Sequence, residues 1–518
     1  MDTQRRVVLL ALESLEPSLV RQGVDEGWLP TIGEFLGKGR SVLLGGPHRV
    51  FPFSSWPTTI TGTTPDQHGL YHFLQMRPGS YSVSHISESD LRVPPFWRYV
   101  SDAGLLSTIC DVHCGVPLQD FNGIQVYGWG SLDPYTAKNE TARSDPSEVL
   151  GRLRKEVPGR RVSYMREPPQ TTAEFGRMRD EAVSQTQLQA RGLKYLLEST
   201  PFDLFAGGFY DIHEAPHQLW FLHDPAWPEH DPAIRAELGD AVVDLYKAAD
   251  RGLATVLEAV TEDALVFVLG ATGMRTNSSS PDYPALVLEA GGWQVRKTGG
   301  SVASRGIRTS LRRAAHRVLS PGIRKRIGSR LPEVRARYLA DSFFEGIDWS
   351  ATRAFALPSD YTSYIRVNLA GREPNGIVQP GSEFDDVVAE ISEAFKGLVH
   401  DDDGTPVIEE IVHVDAAREI REDGPTADLV VIWGERPPRM IRGDGLGPIA
   451  LPKPEYYSGA HTSTGFLAAA GPGLSPSGSA IDDGPMYSLC DFAPTVLSAL
   501  GVEVPAVMAG RPISEMLP

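Results

Sequence analysis

The sequence predicts an α/β protein with a large, mostly parallel sheet covered by helices on both faces, together with a smaller α+β subdomain. Two observations support this prediction. Short apolar runs alternate with segments of helical periodicity, and the runs lack the alternation of a strand that has one solvated face. At 518 residues the chain is long enough to bury a sheet of this size. The predicted strands are residues 7–12, 202–209, 264–269, 429–433 and 466–470.

Composition narrows the class of protein and its partners. Hydrophobic residues make up 41% of the chain and charged residues 22%, which indicates an ordered globular protein. The net charge of -17 disfavours nucleic acid as the main partner. The 3 cysteines are too few for a disulfide framework, so we expect a reducing, cytoplasmic location. Since no apolar stretch approaches about 18 residues, we expect no membrane span.

A basic segment divides the chain. Residues 296–337 hold thirteen Lys or Arg and one acid, Glu333. We interpret the segment as a solvated insertion or lid, with an anion-handling patch or a nucleic-acid or membrane arm as alternatives. The expected division is a first core part at 1–295, a basic helical insertion at 296–340, a smaller subdomain and return at 341–425, and a second core part at 426–518.

Two imidazoles and a carboxylate follow the second predicted strand. Asp211, His213 and His217 lie within seven positions, and imidazole is a preferred ligand of zinc and related ions. Proline disfavours the helical region for the residue before it but suits a first helical position. We therefore expect a loop carrying Asp211 and His213, and a helix that starts near Pro216. Two histidines at this spacing are weak evidence for a metal site without a third ligand.

His461 is the candidate third ligand. It lies in a loop of small residues, 459–465, directly before the predicted strand 466–470. Small neighbours allow backbone and ligand to approach closely. Alone, such a histidine is more often bonded to backbone, but in company with His213 and His217 it favours a metal site.

A third motif, residues 51–70, crowds hydroxyl groups at a predicted helix start. Ser or Thr at this position can cap the helix, and the same groups can supply a nucleophile or hold an anion. Capping is the simpler interpretation of the motif alone. Another segment, residues 110–114, contains two cysteines and His113. It could bind a metal, but core and turn is the simpler interpretation.

In combination these features resemble the alkaline phosphatase superfamily, and more closely the bacterial branch of the type I phosphodiesterase/nucleotide pyrophosphatase family. The features are the TG-xx-P-xx-HG run at residues 61–69, Glu13 at a strand end, the pair His213/His217 and the late His461. The resemblance covers most of the chain. It implies a large mixed α/β fold and two divalent metals that flank a Ser or Thr nucleophile.

Carried over residue by residue, the resemblance places Glu13 at the family's first Asp ligand. His213 and His217 match the Asp and His, four apart, of one metal site, and His461 matches the late His of that site. Asp211 is a spare carboxylate that could ligate or support a ligand. The implied metal ligands are thus His213, His217, His461, Asp211 and Glu13.

Two departures from the family pattern affect the mechanism. Ala271 and Thr272 stand where the family has the Asp and His of its second metal site, so the sequence predicts one well-held metal, zinc or alternatively manganese. In the family the nucleophile lies nine residues before the Thr of the TG pair, and counting back from Thr61 without gaps reaches Pro52. Ser54 or Ser55 can replace it if the loop is shorter, and Ser54 is the favoured candidate.

The implied function is a metal-dependent hydrolase of phosphate mono- or diesters that acts on a small anionic ester through Ser54 or through water activated by the metal. One alternative is a catalytically lapsed member that serves as a binding or regulatory protein. Another is a sulfate or phosphonate ester hydrolase or a phosphoryl transferase. The sequence does not indicate an oligomeric state.

Overall fold

The computed structural model of the chain describes residues 6–47, 50–132, 135, 142–161, 169, 171–225, 227, 230–297, 343–414, 427–452, 457–477, 481 and 483–518. Of the basic insertion predicted at 296–340, only Arg296 and Lys297 belong to these ranges. The prediction for residues 298–340 therefore lies outside the described residues.

Strands and helices alternate along most of the chain. The strands are β1 Arg6–Leu12, β2 Arg40–Gly45, β3 Leu74–Met76, β4 Val83–His85, β5 Ser107–Cys110, β6 Gly123–Tyr127, β7 Arg143–Asp145, β8 Leu204–Phe209, β9 Ala264–Gly270, β10 Met274–Thr276, β11 Ala354–Leu357, β12 Thr362–Val367, β13 Val399–His400, β14 Ile408–His413, β15 Leu429–Trp433, β16 Met440–Gly443, β17 Leu446–Ala450, β18 Gly459–His461, β19 Thr464–Ala470 and β20 Met486–Ser488. The helices are α1 Pro17–Asp25, α2 Pro30–Lys38, α3 Ser55–Thr61, α4 Pro65–His68, α5 Trp97–Asp102, α6 Glu148–Glu156, α7 Thr172–Ser199, α8 Asp211–His223, α9 Pro232–Leu238, α10 Ala241–Leu257, α11 Tyr283–Ala290, α12 Ser382–Lys396 and α13 Phe492–Ala499.

A nine-stranded sheet forms the centre, with strand order β20-β2-β19-β9-β1-β8-β5-β6-β7. The consecutive strands β9, β1, β8, β5 and β6 are parallel to one another. β19 is antiparallel to both of its neighbours, and β7 is antiparallel to β6. The predicted class, a large and mostly parallel sheet with helices, is confirmed.

Both faces of this sheet are buried, as the apolar runs predict. Along β1 the side chains of Val8, Leu10 and Leu12 pack into one core, which contains residues of α2, α7 and α10. The alternate residues pack into a second core with residues of α3, α5 and α13. A strand covered on both sides has no solvated face, which explains its unbroken hydrophobic sequence.

Two of the five predicted strands do not join a parallel ladder. β19, at residues 464–470, belongs to the central sheet but runs antiparallel. β15, at residues 429–433, lies in a separate antiparallel sheet of order β11-β12-β15-β14. All five residues of β15 are buried, because its two faces contact different cores. Burial on both faces therefore does not reveal strand direction.

Smaller sheets lie outside the central sheet, and they include strands from both sides of residue 426. Helices α11 and α12 pack with β11, β12 and β15 around a shared apolar cluster. A three-stranded sheet, β13-β16-β17, adjoins it. Among the described residues, no helix combines the length and the hydrophobicity that a membrane crossing requires.

Helix α8 begins earlier than the sequence predicts. It starts at Asp211 and contains Pro216, so the predicted loop for Asp211 and His213 is wrong. A proline inside a helix removes one backbone hydrogen bond, here to the carbonyl of Ile212. The helix is buried along most of its length and packs against α7 and α10, which offsets that loss. Its register places His213 and His217 one turn apart on the same face.

Gly465 is required where β19 pairs with the end of β9. A Cβ atom at this position would lie 2.2 Å from the carbonyl oxygen of Gly270 and 2.6 Å from that of Ala271. We expect Gly465→Ala to lower the free energy of unfolding by about 1–3 kcal/mol, because backbone atoms cannot yield as a flexible side chain can. Gly447→Ala is the matched control, since a Cβ atom at that position would have no neighbour within 4 Å. Thermal denaturation of both variants tests this, and equal midpoints would contradict it.

Candidate metal centre

The carboxyl ends of the parallel strands meet at one edge of the sheet, where sites form in sheets of this kind. Glu13 follows β1, His113 follows β5, His213 follows β8 and Thr272 follows β9. This edge is the setting of the candidate site. His461 reaches it from β18, which pairs with β10 so that His461 lies opposite Met274.

Three imidazoles converge there. Each of His213, His217 and His461 offers one ring nitrogen, and these atoms lie within 4.8 Å of one another. The Nε2 atoms of His213 and His461 are 3.2 Å apart. The ring centroids of His217 and His461 are 4.7 Å apart. The structure thus brings together the three histidines that the sequence predicts.

The other nitrogen of each ring faces an oxygen atom. Nδ1 of His217 lies 2.8 Å from the carbonyl oxygen of Gly459. Nδ1 of His461 lies 3.1 Å from Oγ1 of Thr272 and 3.3 Å from the carbonyl oxygen of Gly273. An Nδ1–H that donates to these oxygens leaves the Nε2 lone pair free for a metal. Thr272 therefore orients the ligand His461, whereas the family pattern has a metal ligand at the position of Thr272 itself.

Glu13 orients the ring of His213 in the same way. Its Oε2 atom lies 3.2 Å from Nδ1 of His213. Carboxylate oxygens commonly orient ligating histidines in this way and increase their basicity. Burial by itself would raise the pKa of Glu13, but the charges of His213 and His113 hold it well below its usual range. Glu13 is consequently an anion beside the ring.

The protonation of two of the rings, His217 and His461, also suits metal binding. Burial, and then the charge of His213, lowers the pKa of His217 to about 3. Burial, with His217 and His213 next in size, lowers the pKa of His461 well below its usual value. Both rings are therefore neutral at pH 7, which is the form that binds metals.

The spacing of the nitrogens fits an ion. In a tetrahedral site with bonds of about 2.0–2.1 Å, two ligating nitrogens stand about 3.3 Å apart. The 3.2 Å between Nε2 of His213 and Nε2 of His461 is close to this value. Three protein ligands leave one position open, which is typical of catalytic rather than structural sites. The donor set therefore suits a divalent metal.

Asp211, also a candidate ligand from sequence, lies elsewhere in the structure. Its carboxylate forms an ion pair of 2.8 Å with Arg160, and both side chains are fully buried. Among the described residues it belongs to neither group of converging ligands. It lies at the start of α8, two residues before His213.

The two candidate nucleophiles are buried and hydrogen-bonded to backbone. Ser54 donates to the carbonyl of Leu70 at 2.7 Å, and Ser55 donates to the carbonyl of Pro52 at 2.9 Å. Neither serine is among the described residues that line the adjoining cleft, whereas Pro52 is. The ungapped count from the family motif thus leads to a residue at the cleft, although that residue has no hydroxyl.

The cleft itself has a volume of about 1020 Å³ and opens beside the histidines. His461 and Tyr361 form part of its wall. The hydroxyl of Tyr361 lies 3.0 Å from Nδ1 of His217, and the two rings are stacked. Tyr361 comes from the segment before β12, so the smaller subdomain contributes to the site.

His113 is a residue that the sequence analysis set aside, because core and turn was the preferred interpretation of its segment. Residues 110–114 do form core and turn, but His113 joins Glu13 and His213 in a second group of possible ligands within 4.8 Å. The available signal was its position directly after a strand, which it shares with Glu13 and His213. That position alone does not show which way the His113 ring points.

Solved structures share this architecture across nearly the whole of both chains. Phosphonoacetate hydrolase from Sinorhizobium meliloti 1021, in complex with phosphonoformate, has a TM-score of 0.50 at 14% identity, with 96% of each chain covered. Murine ectonucleotide pyrophosphatase/phosphodiesterase 5 has a TM-score of 0.50 at 10% identity, with 99% of this chain and 100% of that chain covered. Alkaline phosphatase PafA has a TM-score of 0.53 at 12% identity, with both chains fully covered at 100%. These likenesses show an alkaline phosphatase-like fold.

The central sheet, with a candidate metal centre at its strand ends, therefore defines the class of protein as an α/β protein of alkaline phosphatase-like fold. A search of curated proteins finds no match. Residues 7–340 match the family described as type I phosphodiesterase / nucleotide pyrophosphatase. That range is well over half of the chain, which therefore belongs to this family of phosphoester hydrolases.

Proposed function

We propose that this protein hydrolyses phosphate mono- or diesters with the help of at least one zinc ion, or alternatively manganese, held by His213, His217 and His461. The observation that carries the proposal is the convergence of three imidazoles within 4.8 Å. Imidazole ligands suit zinc better than manganese, which prefers oxygen. The family and the site together support a phosphoester as the bond that is cleaved.

The chain's own residues would prepare the centre for this reaction. A bound zinc ion supplies Lewis acidity toward a phosphoryl oxygen. Glu13 and the backbone at Gly459 hold two of the rings in the tautomer that presents Nε2. The hydroxyl of Tyr361, at the cleft wall, is placed to donate a hydrogen bond to an ester oxygen.

The cleft supports a small-molecule substrate. Its volume of about 1020 Å³ is at the upper end of the range for small-ligand sites, which is about 300–1,000 Å³. Its lining contains Arg275 and Arg436 but also the acids Glu16, Asp224, Glu409 and Glu435. Both arginines form ion pairs, Arg275 with Glu409 and Arg436 with Asp402 and Asp403, so the cleft wall is of mixed charge.

The nucleophile is proposed to be water. Because both candidate serines donate their hydroxyls to backbone carbonyls, Ser54 could attack only after its bond to Leu70 is broken. Ser54→Ala and Ser55→Ala should then each keep kcat within about threefold of the wild-type value. Loss of about 10²-fold or more in Ser54→Ala, with unchanged metal content, would instead assign the attack to that hydroxyl.

A specific observation favours one alternative, a lapsed member of the family that binds without turnover. Pro52 stands at the family's nucleophile position, and Ala271 with Thr272 replaces a metal-binding pair. Losing one ion of a two-metal site removes several kcal/mol of transition-state stabilisation. A protein of this kind would keep the histidine centre for binding an anion.

Metal removal separates the two functions. We expect purified protein to contain at least one zinc per chain by elemental analysis, and to hydrolyse p-nitrophenyl phosphate or bis-p-nitrophenyl phosphate. A chelator should abolish turnover and added zinc should restore it, because the ion is required for the chemistry. p-Nitrophenyl sulfate serves as the comparison ester. Zinc-loaded protein without turnover on any ester would support the lapsed function.

A further inference from the structure

We propose that Glu13, His113 and His213 form a second binding site for a divalent cation, which shares His213 with the site of His213, His217 and His461. One ligand atom from each of the three residues lies within 4.8 Å of the others. The inference goes beyond the proposed function and rests on it only through the shared histidine.

The ring of His213 separates the two groups. Its Nδ1 atom lies 3.2 Å from Oε2 of Glu13, and its Nε2 atom lies 3.2 Å from Nε2 of His461. A neutral imidazole carries one proton and can therefore ligate through one nitrogen only. A second ion would take the place of the proton between Nδ1 and Glu13, and that proton would pass to solvent. The imidazole would then bridge the two ions.

His113 supplies the independent observation. Its Nδ1 atom is shielded from solvent and has no hydrogen-bond partner among the described residues. A buried polar atom without a partner is unfavourable, so each such atom requires an explanation. The ring stands perpendicular to that of His213 with 5.6 Å between centroids. One nitrogen of this ring lies within 4.8 Å of ligand atoms of Glu13 and His213, so a cation held by the three residues would give the buried ring a partner.

The loop after β5 is built to hold His113 in this place. Asp111 and Cys114, on either side of it, have positive φ angles of 52° and 56°. Non-glycine residues adopt such angles rarely, and they persist only where the surroundings enforce them. At Asp111 the carboxylate fixes the backbone by accepting hydrogen bonds from the N–H groups of Trp129 and Gly130 at 3.2 and 2.5 Å.

Glu13 is fixed in a similar manner. The next residue, Ser14, has a φ angle of 67°. Glu13 is 5% exposed and shares with His113 and His213 a group of ligand atoms within 4.8 Å, so a buried carboxylate faces two imidazoles. Anionic oxygen together with imidazole nitrogen is an ordinary donor set for a divalent transition metal.

This site differs in origin from the second metal site of the family pattern. That pattern draws two ligands from the loop after β9, where this chain has Ala271 and Thr272. Here the added histidine comes from the loop after β5, two strands from β1 across β8. The chain would thus recover a second cation with ligands from a different strand.

Cobalt(II) is the probe for the test, because it replaces zinc and its absorption reports coordination. Metal-free full-length protein is titrated with Co²⁺, and bound metal is measured after equilibrium dialysis. We expect two ions per wild-type chain and one per His113→Gln chain, with the same value of two in the control His85→Gln. Saturation of the wild type at one ion, or two ions in folded His113→Gln, would overturn the proposal.

A second measurement covers the case in which His113→Gln fails to fold. Wild-type protein is loaded with one and then two equivalents of Cu²⁺, and its electron paramagnetic resonance signal is integrated. An imidazole bridge couples the two spins, so the signal at two equivalents should fall below the signal at one. A signal that doubles would show two uncoupled ions and would contradict the proposal that the two sites share His213.

The outcomes also distinguish this proposal from the proposed function. If one ion binds and is lost in His217→Ala but retained in His113→Gln, only the second site fails. If the wild-type chain binds no ion, the catalytic centre fails as well.

Discussion

His461→Ala is expected to lose the zinc ion and about 10²–10⁴-fold in kcat/KM toward phosphate esters. The variant leaves two imidazoles, His213 and His217, from a single helix, and loses the nitrogen that lies 3.2 Å from Nε2 of His213. Removing a catalytic metal costs several kcal/mol of transition-state charge stabilisation, and about 3–5 kcal/mol corresponds to that range of rates. Elemental analysis and steady-state kinetics on bis-p-nitrophenyl phosphate measure both effects.

His85→Ala is the matched control, since it also removes a partly buried imidazole. That ring lies in β4, where its Nδ1 is 3.0 Å from the carbonyl oxygen of Ile86, and it belongs to neither ligand group. Zinc content and kcat/KM should both be unchanged in this variant. Full zinc content in His461→Ala would remove this histidine from the ligand set.

The three histidines of the centre could be predicted because each lies beside a recognisable strand. His213 and His217 follow the apolar run that forms β8, and His461 precedes the run that forms β19. In a parallel sheet, side chains that follow strands collect at one edge, whatever their separation in sequence. His461 precedes β19 and reaches the same edge because that strand runs antiparallel, so its contact with His213 rested on the resemblance to the family and not on strand order.

His113 could not be found in this way, because its role depends on how one turn is bent. The positive φ angles of Asp111 and Cys114 are not encoded by glycine, so no residue type indicates them. The bonds from the backbone at Trp129 and Gly130 that hold Asp111 come from a later loop. The sequence predicts a turn there, but it does not predict the direction of the His113 ring.

The direction of β19 and the start of α8 could not be predicted from the sequence for a related reason. At both places burial against neighbouring elements outweighs the local conformational preference of the residues. β19 is hydrophobic because neighbours cover it, and an antiparallel strand in the same place has the same composition. Pro216 favours a helix start, but the packing of α8 against α7 and α10 extends the helix back to Asp211. Tertiary contacts decide both features, and they are invisible in a window of sequence.

Asp211→Ala is expected to lower the free energy of unfolding by about 3–5 kcal/mol while leaving the zinc content unchanged. The carboxylate pairs with Arg160 at 2.8 Å, and both side chains have 0% exposure. Removing one partner of a buried pair leaves the other charge without compensation in a medium of low dielectric constant. Thermal or urea denaturation measures the loss, and loss of zinc in the folded variant would instead make Asp211 a ligand.

The double variant Asp211→Leu/Arg160→Met tests the cause of that loss. With both charges absent no uncompensated ion remains, so we expect the double variant to be more stable than either single variant. Part of the loss should persist, because Arg160 also donates hydrogen bonds to Gly130 and Gln189 at 2.5 and 3.0 Å. Asp25→Ala, which breaks an exposed pair with Arg21, should cost no more than about 1 kcal/mol. Equal losses in Asp211→Ala and Asp25→Ala would show that burial of the Arg160 pair contributes nothing, and the first turn of α8 would then owe its position to packing alone.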